Sequence, residues 1–154
     1  MAADAPSARS FPAALARLRV ALADVANGDV AAIKALYSHA EDATSFYGWG
    51  GYEKGWDDVS RRWDWAARQF GGGTVSHDNV TTVVGVDLAL VTDIETFEVR
   101  IEGKGPSRWT NRVTHVFRFE AGAWRLLHRH ANRLEQRYEP APRLAARDAG
   151  PADD

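Results

Sequence analysis

The sequence predicts an α+β domain, with helices first and a curved sheet after them. Three observations carry that prediction. Apolar residues recur at helical spacing as far as about residue 70. From about residue 74 they alternate with polar ones, which is the period of a strand. The later segments are joined by the short runs "GVD", "EGKGPS" and "EAG", so neighbours should pair antiparallel as a meander. A run of helices followed by a run of strands suits helices packed on one face of a sheet.

The first helix opens at Ser10, a capping residue, with Pro12 in its first turn. Leu15, Leu18, Leu22 and Val25 form its stripe, and "NG" at 27–28 stops it. Asp29 caps a second, short helix through Ile33, Leu36 and Tyr37. A turn and one short strand are expected within "SHAEDATSFYG". A third helix is expected over 53–70, with Trp56, Val59, Trp63, Ala66, Ala67 and Phe70 on one face. The "GGG" at 71–73 should end it. Four strands follow, over about 75–85, 88–101, 108–119 and 123–134. The domain is bounded at 10–136, and residues 1–9 and 137–154 read as disordered tails.

The 154 residues suit one core. A net charge of −2 lacks the basic footprint of a nucleic-acid binder. No apolar run is long enough to span a bilayer, and "MAADAPSARS" has neither the charged start nor the apolar core of a signal peptide. With no cysteine, disulfides and thiolate metal sites are excluded. No nucleic acid, no membrane and a cytoplasmic location are the expectations. Six tryptophans are many for this length, and they either build a core or line a cleft for a flat ligand.

The last hairpin contains "WRLLHRHAN". A two-residue turn at Ala121-Gly122 sets Phe119 opposite Trp124 and Phe117 opposite Leu126. Continued in twos, it sets His115 opposite His128 and Val113 opposite His130. The inner face then reads Trp109, Asn111, Val113, His115, Phe117 and Phe119 with Trp124, Leu126, His128 and His130. That face is aromatic near the tip and polar further along, as a wet pocket at one end of the sheet would be. The plainer alternative is three histidines each bonded to a neighbour. In strand 88–101, alternation leaves open which set faces inward. If the odd set does, Asp93 and Glu95 join the histidines, where a carboxylate beside an imidazole serves as base or orients one. A second lip is "SFYGWGGYEKGW", whose Tyr47, Trp49 and Trp56 either close over a ligand or plug the core.

The helical "GWDDVSRRWDWAARQF", the strand pair "VVGVDLALVTDIETFEV" and above all "NRVTHVFRFEAGAWRLLHRHAN" resemble the nuclear transport factor 2-like superfamily. Within it they are similar to SnoaL-like and ketosteroid isomerase-like proteins, over about residues 12–134. The hairpin is also similar to the association domain of calcium/calmodulin-dependent kinases. The resemblance implies a cone: a bent antiparallel sheet wrapped around one long helix, with a pocket at its open end. It also implies a homodimer through the outer sheet face, here Arg112, Thr114, Val116, Leu127 and Ala131. Relating the sheet to the kinase domain favours the odd face of 88–101 as the inner one. The Asp, Tyr and protonated acid of ketosteroid isomerase are not matched residue by residue. A Glu95, His115 and His128 cluster would be a version of the acid–base pair of the cyclase relatives.

The expected function is therefore a small-molecule pocket protein. It would be a cofactor-free isomerase, cyclase or dehydratase acting on a small apolar or aromatic carbonyl compound. Glu95, His115 and His128 would be its catalytic groups. Tyr47, Trp49, Trp56, Trp63, Asp93, Asn111 and His130 would bind substrate. The alternative is a non-catalytic ligand-binding or accessory protein. A third reading is a metalloprotein using His115, His128, His130 and a carboxylate.

Overall fold

The computed structural model describes residues 9–135. The expectation of disordered tails therefore lies outside the described residues, apart from Arg9. Helix α1 (Phe11–Ala26) starts as its sequence demands: the Ser10 hydroxyl accepts from Ala13 N at 3.4 Å. It buries Phe11, Ala14, Leu18, Ala21, Leu22 and Val25 against the sheet. Helix α2 (Ala31–Leu36) is headed by Asp29, whose carboxylate accepts from Ala31 N at 2.9 Å. Helix α3 (Trp56–Ala67) buries Val59, Trp63 and Ala66.

The sheet has six strands in the order β2-β1-β6-β5-β4-β3. These are β1 (Thr44–Phe46), β2 (Tyr52–Lys54), β3 (Phe70–Val84), β4 (Leu88–Ile101), β5 (Gly105–Glu120) and β6 (Ala123–Arg133). The four long strands form the expected meander. No helix among the described residues is long and apolar enough to cross a membrane.

Three expectations need correction. The lip supplies two short strands rather than one, and β1 lies parallel to β6, so the sheet is mixed. The third helix begins at Trp56 because Tyr52–Lys54 pairs with β1. The glycines at 71–73 do not follow a helix end; they lie inside β3. Gly73 is required there: a Cβ on it would fall 2.1 Å from Glu98 O on the partner strand.

A fourth correction decides the site. The Ala121-Gly122 turn is the expected one, with both residues at positive φ, 50° and 79°. Phe119↔Trp124 and Phe117↔Leu126 pair as read from the sequence. Then a bulge intervenes. Leu127 has no partner, and Val116 pairs with His128, His115 with Arg129, Thr114 with His130 and Val113 with Ala131. One extra residue turns every later side chain of β6 to the other face. His128 and His130 go outward, while Arg129 and Ala131 go inward and are buried. Ala131 is thus not part of the outer face. In β4 the odd set is the inner one: Ala89, Val91, Asp93, Glu95, Phe97 and Val99 are all buried.

Candidate functional site

The inner surface of the sheet divides in two. Near the last turn, Phe11, Phe117, Trp124 and Leu126 pack with α1 as an apolar core, with Phe11 edge-on to both Phe117 and Trp124 at 5.2 Å. Further along, the same face carries Asp93, Glu95, His115, Arg129 and Asn111, all buried. Beyond them opens a cavity of about 330 Å³.

The cavity is walled by rings. Tyr47 stacks on Trp49 at 4.6 Å, and Trp63 stands edge-on to Tyr47 at 6.2 Å. On the opposite wall Phe97 stacks on Trp109 at 5.1 Å, with Phe70 against both. Trp65 completes the lining. Gln69, Glu102, Lys104 and Arg133 form a polar rim, and Arg133 lies 5.5 Å over the Trp109 ring. Asn111 and Arg129 line the buried end. Gly48 also lines the cavity, where a Cβ would come within 3.0 Å of Asn111 Oδ1.

Arg129 is 5% exposed and fully engaged on its inner side. Its Nη1 donates to Glu95 Oε2 at 3.1 Å and its Nη2 to Glu95 Oε1 at 2.5 Å. Nη1 also lies 2.6 Å from His115 Nε2. Arginine does not give up its proton, so His115 Nε2 accepts, and the imidazole proton sits on Nδ1. That Nδ1 is 3.7 Å from Asp93 Oδ2 and has no hydrogen-bond partner. Asp93 is held by Arg19 of α1 through two bonds of 2.7 and 2.9 Å, and by Asn79 at 3.0 Å. His77 stands 3.6 Å from Glu95, with neither ring nitrogen hydrogen-bonded.

Burial sets the titrations. It holds His115 well below the ordinary histidine range, and the charges of Arg129 and Arg19 push the same way. His77 is lowered by burial too, with Glu95 opposing. Burial, the largest single influence, would lower Arg129, but Glu95 together with Tyr37 and Asp93 outweighs it and the guanidinium is raised. Burial pushes the Tyr47 phenol up to about 12. The Ser45 hydroxyl opposes that shift, although neither oxygen finds a partner within hydrogen-bond geometry.

The ten residues singled out from the sequence therefore separate. Asp93, Glu95 and His115 come together around Arg129 behind the cavity. Tyr47, Trp49, Trp63 and Asn111 line it. Trp56 does not, since it stacks on His39 at 3.8 Å. His128 and His130 occupy the outer face. His128 Nδ1 is 2.7 Å from Thr44 Oγ1, His130 Nε2 is 3.1 Å from Asn132 Oδ1, and Phe46 stands edge-on to both rings. The His115, His128 and His130 metal set is thus not assembled. Among the described residues no group of three or more His, Asp or Glu is placed to hold an ion. Arg129 was missed because strict alternation put it outside. The available signal was the Leu126-Leu127 doublet, two apolar residues where alternation allows one.

The geometry has close parallels. A nuclear transport factor 2-like protein from Salmonella enterica serovar Typhimurium superposes with TM-score 0.68 at 17% identity, over 81% of this chain and 92% of that one. A ketosteroid isomerase-like protein from Erwinia carotovora atroseptica gives 0.67 at 15%, over 79% and 94%. A Thiobacillus denitrificans protein described as a calcium/calmodulin-dependent protein kinase type II association domain gives 0.67 at 18%, over 82% and 96%. At such identities the likeness establishes the fold. No curated protein sequence matches this one. The profile of the SnoaL-like domain matches residues 15–132, and the chain belongs to that family.

Proposed function

We propose that the protein binds a small, flat, mostly apolar carbonyl compound in the aromatic cavity, with the carbonyl oxygen directed at Arg129. The observation that carries this reading is Arg129, a charged side chain at the buried end of a cavity whose walls are largely rings. Titration with aromatic ketones should quench the tryptophan fluorescence of the cavity walls. The Trp49→Ala and Trp63→Ala variants should each weaken binding about tenfold, the loss of roughly one ring contact. Quenching by no such compound, or affinity unchanged in both folded variants, would overturn the reading.

A second reading adds cofactor-free acid–base turnover, of the isomerase, cyclase or dehydratase kind. The buried chain Asp93–His115–Arg129–Glu95 supports it, since four polar groups are held behind one cavity. Arg129 would polarise the carbonyl, and Glu95 would have to leave Arg129 to take the proton. A Glu95→Gln variant that still binds ketone but loses all turnover is the expected result. A ketone bound without any conversion by the wild type leaves the binding role alone.

We also place a homodimer contact on the outer face. Val83, Leu90 and Val116 sit side by side across β3, β4 and β5, and His128 continues the row into β6. Val83 and Leu90 are exposed. Sedimentation should give a dimer at micromolar concentration and a monomer for Leu90→Glu. A wild-type monomer under those conditions ends this assignment.

A further inference from the structure

The charges at the buried end of the cavity are already balanced. Arg129 is paired with Glu95, and Asp93 with Arg19. His115 is a neutral acceptor. A carboxylate ligand would bring an extra anion to this end, beside the Glu95 carboxylate that already holds Arg129. Its attraction to Arg129 would be offset by repulsion from Glu95 and by its own desolvation. A neutral carbonyl meets no such penalty. A guanidinium has five N–H groups, and the contacts to Glu95 and His115 leave it further donors.

Unpartnered polar atoms just beneath the surface, on residues that line the cavity, point to the rest of the head group. Trp63 Nε1, a donor only, and Asn111 Oδ1 are shielded from solvent and have no partner. The Tyr47 hydroxyl is also unpartnered, and burial keeps it protonated. Each such buried atom destabilises the folded chain while it stays unpaired. A guest that satisfies them must accept hydrogen bonds and also donate one to Asn111. The volume of about 330 Å³ is about twice the ~150 Å³ that holds one benzene ring, so a bicyclic ligand fits.

Resting on the reading of the cavity as a ligand site, we propose that Glu95 is its specificity determinant. As the resident counter-ion of Arg129, it makes the cavity select neutral bicyclic ligands whose carbonyl sits beside a hydrogen-bond donor, a hydroxy-ketone or a carboxamide, and reject carboxylates of the same shape. The roles divide cleanly. Arg129 and Trp63 serve the carbonyl, Asn111 receives the donor, and Glu95 excludes the anion.

The test uses three size-matched probes at pH 7.5: 2-naphthamide, 2-acetonaphthone and 2-naphthoate. The wild type should bind the amide at least tenfold more tightly than the carboxylate, with the ketone between them. Glu95→Gln should raise naphthoate affinity tenfold or more and change naphthamide affinity less than threefold. Asn111→Leu should bring the amide down to the level of the ketone. Naphthoate bound by the wild type as well as naphthamide overturns the proposal. So does an unchanged amide-to-carboxylate ratio in folded Glu95→Gln. Should that variant not fold, the wild-type ratio and the Asn111→Leu result decide the matter. Binding of none of the three probes to the wild type overturns the cavity reading itself, an outcome distinct from binding without charge selection.

Discussion

The two halves of the β5–β6 hairpin make an instructive contrast. From the turn to Leu126 the pairing is regular, and the inner face is Phe117, Phe119, Trp124 and Leu126. From Val116 onward one residue has been inserted, and the inner face becomes His115, Arg129, Val113 and Ala131. The first half is held by area removed from water, a term that tolerates no partner logic. The second is held by Arg129, Glu95 and His115 satisfying one another, where losing one member strands the others. The same strand thus carries a core at one end and a site at the other, and Leu127 marks the border.

The largest effect should come from breaking the ion pair. Arg129→Leu leaves the Glu95 charge buried and alone, at an expected cost of about 3–5 kcal/mol by urea denaturation. Adding Glu95→Leu should recover most of that loss. Phe117→Ala in the other half should cost about 3–5 kcal/mol as well, but as a cavity that no second truncation repairs. Equal behaviour of the two halves in these double variants would erase the contrast.

Deleting Leu127 removes the bulge and leaves the border in place. The ladder would then run without interruption, with Leu126 opposite Phe117, His128 opposite Val116 and Arg129 still inward opposite His115. Because Arg129 keeps its partners, ketone binding should be retained and stability should change little. A loss of about 3 kcal/mol or more, the cost of a stranded Glu95 carboxylate, would mean that the bulge is needed to seat Arg129.

Acid should sharpen the contrast further, because the histidines of the hairpin are confined to the second half. His115 titrates below its unfolded value of about 6.5. Between those two values the unfolded chain binds the extra proton, so stability falls as pH drops below about 6.5, by up to about 1.4 kcal/mol per pH unit. Above that pH the contribution is fully present. His77 and His128 are lowered as well and act in the same direction. His115→Gln should flatten the slope measured from pH 7.5 to 5, and an unaltered slope would shift the effect to the other two histidines.

The smallest effect lies at the turn. Ala121 holds a φ of 50°, which a side chain with a Cβ adopts at a cost. Ala121→Asn should stabilise the hairpin by about 0.5–1 kcal/mol and raise the melting temperature without altering ligand binding. A neutral result would show that the β5–β6 ladder, not its turn, sets the register at the tip.

Much of this molecule was legible in its residues. The change of period, expected near residue 74 and found a few residues earlier at Phe70, the cap at Ser10 and the turn at Ala121-Gly122 are all set by local chemistry. Those features are short-range, and each is encoded by the residues that make it. So is the alternation that puts Asp93 and Glu95 together on one face of β4, although it leaves open whether that face is the one His115 shares. What alternation cannot encode is its own interruption. The bulge at Leu127 exists in the company of strands far away in the chain. Glu95 of β4 gives Arg129 a partner, and Ser45 of β1 pairs beside it in parallel. Only the assembled sheet brings those groups together, so only the tertiary structure decided that an arginine, and not two histidines, meets the cavity. The same holds for the rings. Trp56 and Trp63 share a helix, but the packing of α3 sends Trp56 to His39 and Trp63 to the cavity wall. Sequence determines a side chain's phase along its own element, and the neighbouring elements determine what that phase faces.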